Sequence, residues 1–156
     1  MRTRLILALC SCSALSGCFL DNASPTRKIA DTVHDMNDQA RWGRMGDAAG
    51  YVDPTYRKTY LNNHKRWGSG IQLADAEVVH VQIQDDASGA TSFVTYSWYS
   101  MADMTLHQSV VRQRWTSNED ALVLVSESVV QGDASLLTAE GPGTNNESAS
   151  VSVMKE

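Results

Sequence analysis

The chain opens on an apolar run from Leu5 to Leu15, preceded by Arg2 and Arg4 and followed by the small residues Ser16 and Gly17. At about a dozen residues the run is shorter than the ~20 that a spanning helix needs, and its charged flank gives it the layout of a cleaved export signal. Helical periodicity begins beyond it. Ser24-Pro25 reads as an N-cap followed by proline at the first helical position, and Ile29, Val33, Met36 and Ala40 then form one apolar stripe on a helix ending near Gly43. A short helical turn is predicted over Asp47 to Tyr51. Asp53-Pro54 repeats the cap-plus-proline signature, and Tyr56, Tyr60, His64 and Trp67 recur at helical spacing up to Gly68. His64, Lys65 and Arg66 fall in the last turn of that helix, where positive charge complements exposed carbonyls, so the cluster reads as a helix terminus rather than a ligand site.

From Ile71 the pattern changes to segments rich in β-branched and aromatic residues. Four antiparallel strands are predicted, Ile71 to Gln84, Thr91 to Met101, Met104 to Trp115 and Ala121 to Val130, with turns at Asp85 to Gly89, Ala102-Asp103 and Ser117 to Asp120. Asp75-Ala76-Glu77 interrupts the first and suggests a bulge. Residues 131–156 are mostly small and polar, a composition that does not offset the entropy of ordering, so they read as a disordered tail in which Leu136-Leu137 is the pair able to dock. Strands of this length carry a defined two-sided pattern. Pairing the second and third across Ala102-Asp103, and the third and fourth across Asn118, puts Val94, Tyr96, Trp98, His107, Ser109, Val111, Trp115, Val123, Val125 and Glu127 on one face. Phe93, Tyr99, Met101, Met104, Leu106, Val110, Leu122 and Leu124 fall on the other. Both faces are substantially apolar, so one should take the helices and the other a partner, most simply a second copy in a homodimer.

Leu15-Ser16-Gly17-Cys18 resembles the lipobox of bacterial lipoproteins. The resemblance implies that residues 1–17 are removed, that cleavage between Gly17 and Cys18 makes Cys18 the new N-terminus, and that its sulfur carries a diacylglyceryl group with an N-acyl chain beside it. Residues 18–24 then serve as anchor and tether, with Phe19 to Ala23 reaching ~17–20 Å when extended. Phe19 is not the aspartate that marks inner-membrane retention in enteric-type sorting, which implies a lipid-anchored protein of the bacterial cell envelope, on the outer membrane and facing the periplasm. Cys10 and Cys12 leave with the signal, so no intrachain disulfide is expected, and loss of Arg2 and Arg4 takes the net charge from −5 to −7. Such an acidic chain is repelled by phosphate backbones and anionic headgroups: nucleic-acid binding is not expected, and the membrane is held through lipid alone.

Helix, helical turn, helix, then long meandering strands bearing Tyr96-Ser97-Trp98-Tyr99 and Gln113-Arg114-Trp115 resemble the NTF2-like superfamily. The resemblance covers residues 25–130 and implies an α+β cone in which N-terminal helices pack on a curved antiparallel sheet of about four strands. It does not choose among the dehydratases, isomerases, ligand-binding domains and inert assembly modules built on that shape. Tyr96, Trp98, His107 and Glu127 are the candidate pocket, with His107 and Glu127 approaching beside Tyr96 as an acid and base, and Asp47 or Asp53 able to enter from the helical side. Solvation of His107 and Glu127 near strand ends, core filling by Trp67, Tyr96, Trp98, Tyr99 and Trp115, and N-capping by Asp53 account for the same residues without chemistry. The spacing of His34, His64, His80 and His107 matches no metal motif, no phosphate loop or nucleophile elbow occurs, and no cofactor is expected. The expected function is that of a non-enzymatic binding or assembly module; the alternative is a small-molecule enzyme of the isomerase or dehydratase type. An open cup with convergent polar groups would favour the enzyme, and a closed core the module.

Overall fold

The computed structural model describes residues 24–118 and 121–138; the signal, lipidation and tether assignments on residues 1–23, and the tail beyond 138, lie outside them. Helix α1, Pro25–Arg41, starts where its cap signal places it: the Ser24 hydroxyl accepts from the Arg27 N–H at 3.3 Å, with proline in the first turn. Its buried stripe is Ile29, Val33, Met36, Asn37 and Ala40. Gly43 follows in the left-handed region, at φ +71°, and lets the chain reverse into the short helix α2, Met45–Ala48, and a 3₁₀ turn over Ala49–Tyr51.

Helix α3 is shorter than its periodicity suggests, Arg57–Asn63. Asp53 caps a preceding turn rather than the helix, its carboxylate accepting from the Thr55 N–H at 2.8 Å, and residues 64–67 turn under the helix as a separate corner. The apolar periodicity of Tyr60, His64 and Trp67 survives this break because all three side chains are buried against the same core.

Four strands follow, β1 (Ile71–Ile83), β2 (Gly89–Ser100), β3 (Leu106–Asn118) and β4 (Ala121–Gly132), paired in chain order as an open antiparallel sheet with β1 and β4 as edges. The molecule is therefore α+β, with N-terminal helices packed on one face of a four-stranded sheet. The β2–β3 register is the one expected, Trp98 opposite His107 and Tyr99 opposite Leu106. In β1 the interruption expected near Asp75 is a register shift between Leu73 and Asp75, and a second lies between Val78 and His80.

The β3–β4 register departs from expectation. A shift between Arg114 and Trp115 inserts one extra residue into β4, so Trp115 faces Leu124 while Gln113 faces Glu127. A bulge reverses the alternation of side chains across it. Leu122 and Leu124 consequently belong to the helix side, Leu124 fully buried, and Val123 and Val125 change places with them; Glu127, beyond the bulge, stays inward as read. At the end of β4, Gly132 has φ +86° and passes so close to β3 that a Cβ there would lie 2.2 Å from the Gln108 carbonyl oxygen. The chain then turns through Ala134–Leu137 and buries Leu136, whose carbonyl accepts from the Trp67 indole N–H at 2.8 Å.

Candidate functional site

Glu127 sits on an edge strand with its backbone partly exposed, yet its side chain points inward and is 1% exposed. Its partner is His64. The carboxyl Oε1 lies 3.1 Å from Nε2 of His64, itself 2% exposed at the corner after α3. The expected meeting of His107 with Glu127 does not occur. His107 stacks on Trp98, with ring centroids 4.4 Å apart, and approaches Asp133 at 3.5 Å on a partly exposed rim. The reason is topological, because β4 turns away past Gly132 and brings Asp133 rather than Glu127 to the His107 end of β3. Reading His64 as a solvated helix terminus is likewise corrected, since the corner rotates its ring into the core between Tyr60 and Trp67, each 4.2 Å away by centroid.

The hydrogen-bond geometry assigns the protons. Nδ1 of His64 is 2.7 Å from the Tyr60 carbonyl oxygen, which can only accept, so Nδ1 carries a hydrogen and Nε2 of the neutral ring is an acceptor. Glu127 Oε1 lies beside Nε2 at 3.1 Å but is buried without a hydrogen-bond partner. Burial acts the same way on both groups. It pushes the carboxyl up to about 8, against a smaller opposing hydrogen bond from Gln113, and the imidazole down to about 4. Near neutrality burial thus favours an uncharged acid in contact with an uncharged imidazole. The Glu127 N–H donates to the Tyr56 hydroxyl at 3.3 Å, and the buried Tyr60 hydroxyl has no hydrogen-bond partner.

A second polar chain runs beside this pair. Asn37 of α1 and Gln113 of β3 exchange amide hydrogen bonds of 3.0 Å, the Tyr96 hydroxyl donates to the Asn37 side-chain oxygen, and Asn37 also donates to the Val33 carbonyl at 2.7 Å. The Gln113 oxygen accepts from Ser92, whose own oxygen accepts from the Trp115 indole at 2.9 Å. Burial holds the Tyr96 hydroxyl well above its ordinary pKa, so it remains a donor. These groups satisfy one another, as buried polar groups must. Sequence reading missed Asn37 and Gln113, although each had a signal: one interrupts the apolar stripe of α1, and the other stands between Val111 and Trp115 on the inward face of β3.

Of the four candidates, Tyr96, Trp98 and Glu127 share the interior while His107 stays at its rim. Trp98 is core, with its indole N–H bonded to Ser109, while Asp47 is exposed and Asp53 half-buried in the turn before α3, where its carboxylate caps Thr55. Two surface grooves are lined by none of the four. One, of about 720 Å³, separates the first half of α1 from the end of the β3–β4 hairpin; the other, of about 390 Å³, lies between the end of α1, Trp67-Gly68 and Gln72 to Ala74. Among the described residues no group of three His, Cys, Asp or Glu side chains could hold a metal ion, and no helix is long and apolar enough to cross a membrane. Comparison with models of protein families, with curated proteins and with solved structures finds no match to this chain.

Proposed function

We propose that this protein is a membrane-anchored lipoprotein of the bacterial cell envelope whose NTF2-like domain works as a non-enzymatic binding or assembly module. The observation that carries the reading is the contrast between the two faces of the sheet. On the helix side, the acid and imidazole that could move a proton are walled in by Tyr60, Trp67 and Tyr96 and are no more than 2% exposed. General acid–base catalysis needs the reacting group within hydrogen-bond reach, and a filled interior admits none. The opposite face and its tip instead present Leu106 at 68%, Met104 at 63% and Met101 at 52% exposure, beside the half-buried Tyr99 and Val110. Large apolar side chains exposed together at one tip mark a site of association. A second copy meeting it face to face is the simplest occupant for a chain that supplies identical surfaces at one membrane.

Light scattering on the protein lacking residues 1–18 tests the reading. The wild type is expected at twice the chain mass; Tyr99→Glu and Leu106→Glu bring unpaired carboxylates into the interface and shift it to the monomer, whereas His107→Ala and Glu127→Gln leave the dimer intact. A wild-type monomer would remove the self-association, and turnover of a small molecule lost with Glu127→Gln in a folded protein would favour an enzyme.

A further inference from the structure

The outer face of the sheet carries its opposite charges on two different strands. Residues opposite one another in the ladder share a face, and Val94, Tyr96 and Trp98 of β2 are buried beneath the helices, so Phe93, Thr95 and Tyr99 point outward. Their ladder partners point outward with them. On β1 this brings out Glu77, opposite Thr95, and Asp75, opposite Ser97; on β3 it brings out Arg112, opposite Phe93, and Arg114, opposite Thr91. Asp75 is engaged by Arg41 at 3.1 Å, but Glu77, Arg112 and Arg114 are exposed and have no ion-pair partner among the described residues. The two arginines reach only the hydroxyls of Ser128 and Ser126. Between acid and base, β2 presents a half-buried stripe without charge.

We propose that this face is self-complementary: two copies pack outer face to outer face about a two-fold axis running along β2, with Glu77 of each copy paired to Arg112 of the other. The proposal rests on the self-association reading above and gives it a register. An axis along β2 sets β2 on β2 and lays β1 of each copy over β3 of the other, whereas an axis across the strands would set β3 on β3 and oppose arginine to arginine. Packed sheets lie about 10 Å apart, and Glu77 and Arg112 are displaced along the strands by the two residues from Thr95 to Phe93, so their Cα atoms stand about 12 Å apart, a gap that the two extended side chains close between them. Four strands of 12 or 13 residues offer roughly 700 Å² per copy, close to the about 800 Å² of a standard interface, with the uncharged stripe at its centre and the charges on its flanks. The same axis keeps the two chains parallel. Pro25, the start of α1, lies beside Ser117 and Ala121 at the β3–β4 turn, and Met104 and Leu106 lie at the other end of the strands. Both copies are thus entered from one end, as two anchors in one leaflet require, and an axis across the strands would put those entries at opposite ends.

The test uses the full chain extracted in a non-ionic detergent, with its mass followed by light scattering, corrected for detergent, over a range of protein and salt concentrations. The wild type is expected as a dimer whose dissociation constant rises as salt screens the pairs. Glu77→Arg and Arg112→Glu, at exposed positions and with thermal melts by circular dichroism to check the fold, should each weaken the dimer at least about tenfold, because like charges then meet across the interface. Mixing the two variants should restore a dimer of near wild-type affinity, since each offers the charge that the other lacks. A merely structural defect would not be repaired by mixing. A wild-type dimer that neither reversal weakens, or two weakened variants that do not rescue one another, would overturn the charge pairing and leave self-association standing; a wild-type monomer would remove the self-association itself, and the pairing with it.

Discussion

At the scale of single residues, the cost of the Glu127–His64 pair depends on pH in a way that follows from burial. The carboxyl titrates near 8 in the fold against an ordinary 4.5, so the stability it contributes is fully present below 4.5 and is lost as pH rises through 8. The imidazole titrates near 4 against an ordinary 6.5; its contribution is present above 6.5 and lost as pH falls through 4. Between 4.5 and 6.5 the two trends oppose each other and the pair leaves a plateau. Glu127→Gln keeps the shape of the side chain beside Nε2 without an ionisable proton. Its urea unfolding free energy should exceed the wild type's by an amount that grows from about pH 5 to pH 8, reaching of the order of 3 kcal/mol. A difference that does not change with pH would contradict the neutral pair. The same residues show what sequence could deliver. Glu127 was legible as inward-facing because strand alternation reaches it, but its partner was not: His64 lies 63 positions away by number, and its neighbours Lys65 and Arg66 favour a solvated reading that only the corner after α3 reverses.

Elements were legible wherever a local signal sets them. Ser24-Pro25 starts α1, and the short Ala102-Asp103 turn sets the β2–β3 register, each through chemistry confined to a few residues. The β3–β4 pairing failed because its bulge has no local signature: Ser126 and Val125 carry no mark that one of them is unpaired, and the shift is decided by Leu124 reaching the core, where its carbonyl also accepts from the Asp53 N–H at 2.9 Å. Tertiary contact thus chose the face. Where β4 ends, the backbone leaves no room for a side chain, and Gly132→Ala should destabilise the domain by about 2–4 kcal/mol, since both the positive φ and the 2.2 Å approach to Gln108 must be relieved. Gly50→Ala, with open space around its Cβ position, is the control and should change stability by less than about 1 kcal/mol in the same denaturation measurement. Equal effects would show that β4 adapts and that the close approach is not a constraint.

For the whole molecule, the layers explain why a chain with an acid–base pair at its centre reads as a module. Inside, Asn37 and Gln113 satisfy one another across the helix–sheet seam and Glu127 contacts His64 of the corner after α3, which ties α1 and that corner to defined positions on the sheet. The surface proposed for recognition is then the outer face and its apolar tip. The aromatic-rich strands made this interior visible in sequence, but its closure was not, because filling depends on how Tyr60, Trp67, Tyr96 and Trp98 interlock in space. The proposed lipid anchor is the central claim, because it would set where this surface is displayed. Metabolic labelling with a palmitate analogue, followed by membrane fractionation, should find label and protein together in the membrane for the wild type and neither label nor membrane retention for Cys18→Ala, because the proposal makes Cys18 the acyl acceptor. Equal label on the two proteins, or a wild type recovered unlabelled in the soluble fraction, would contradict it.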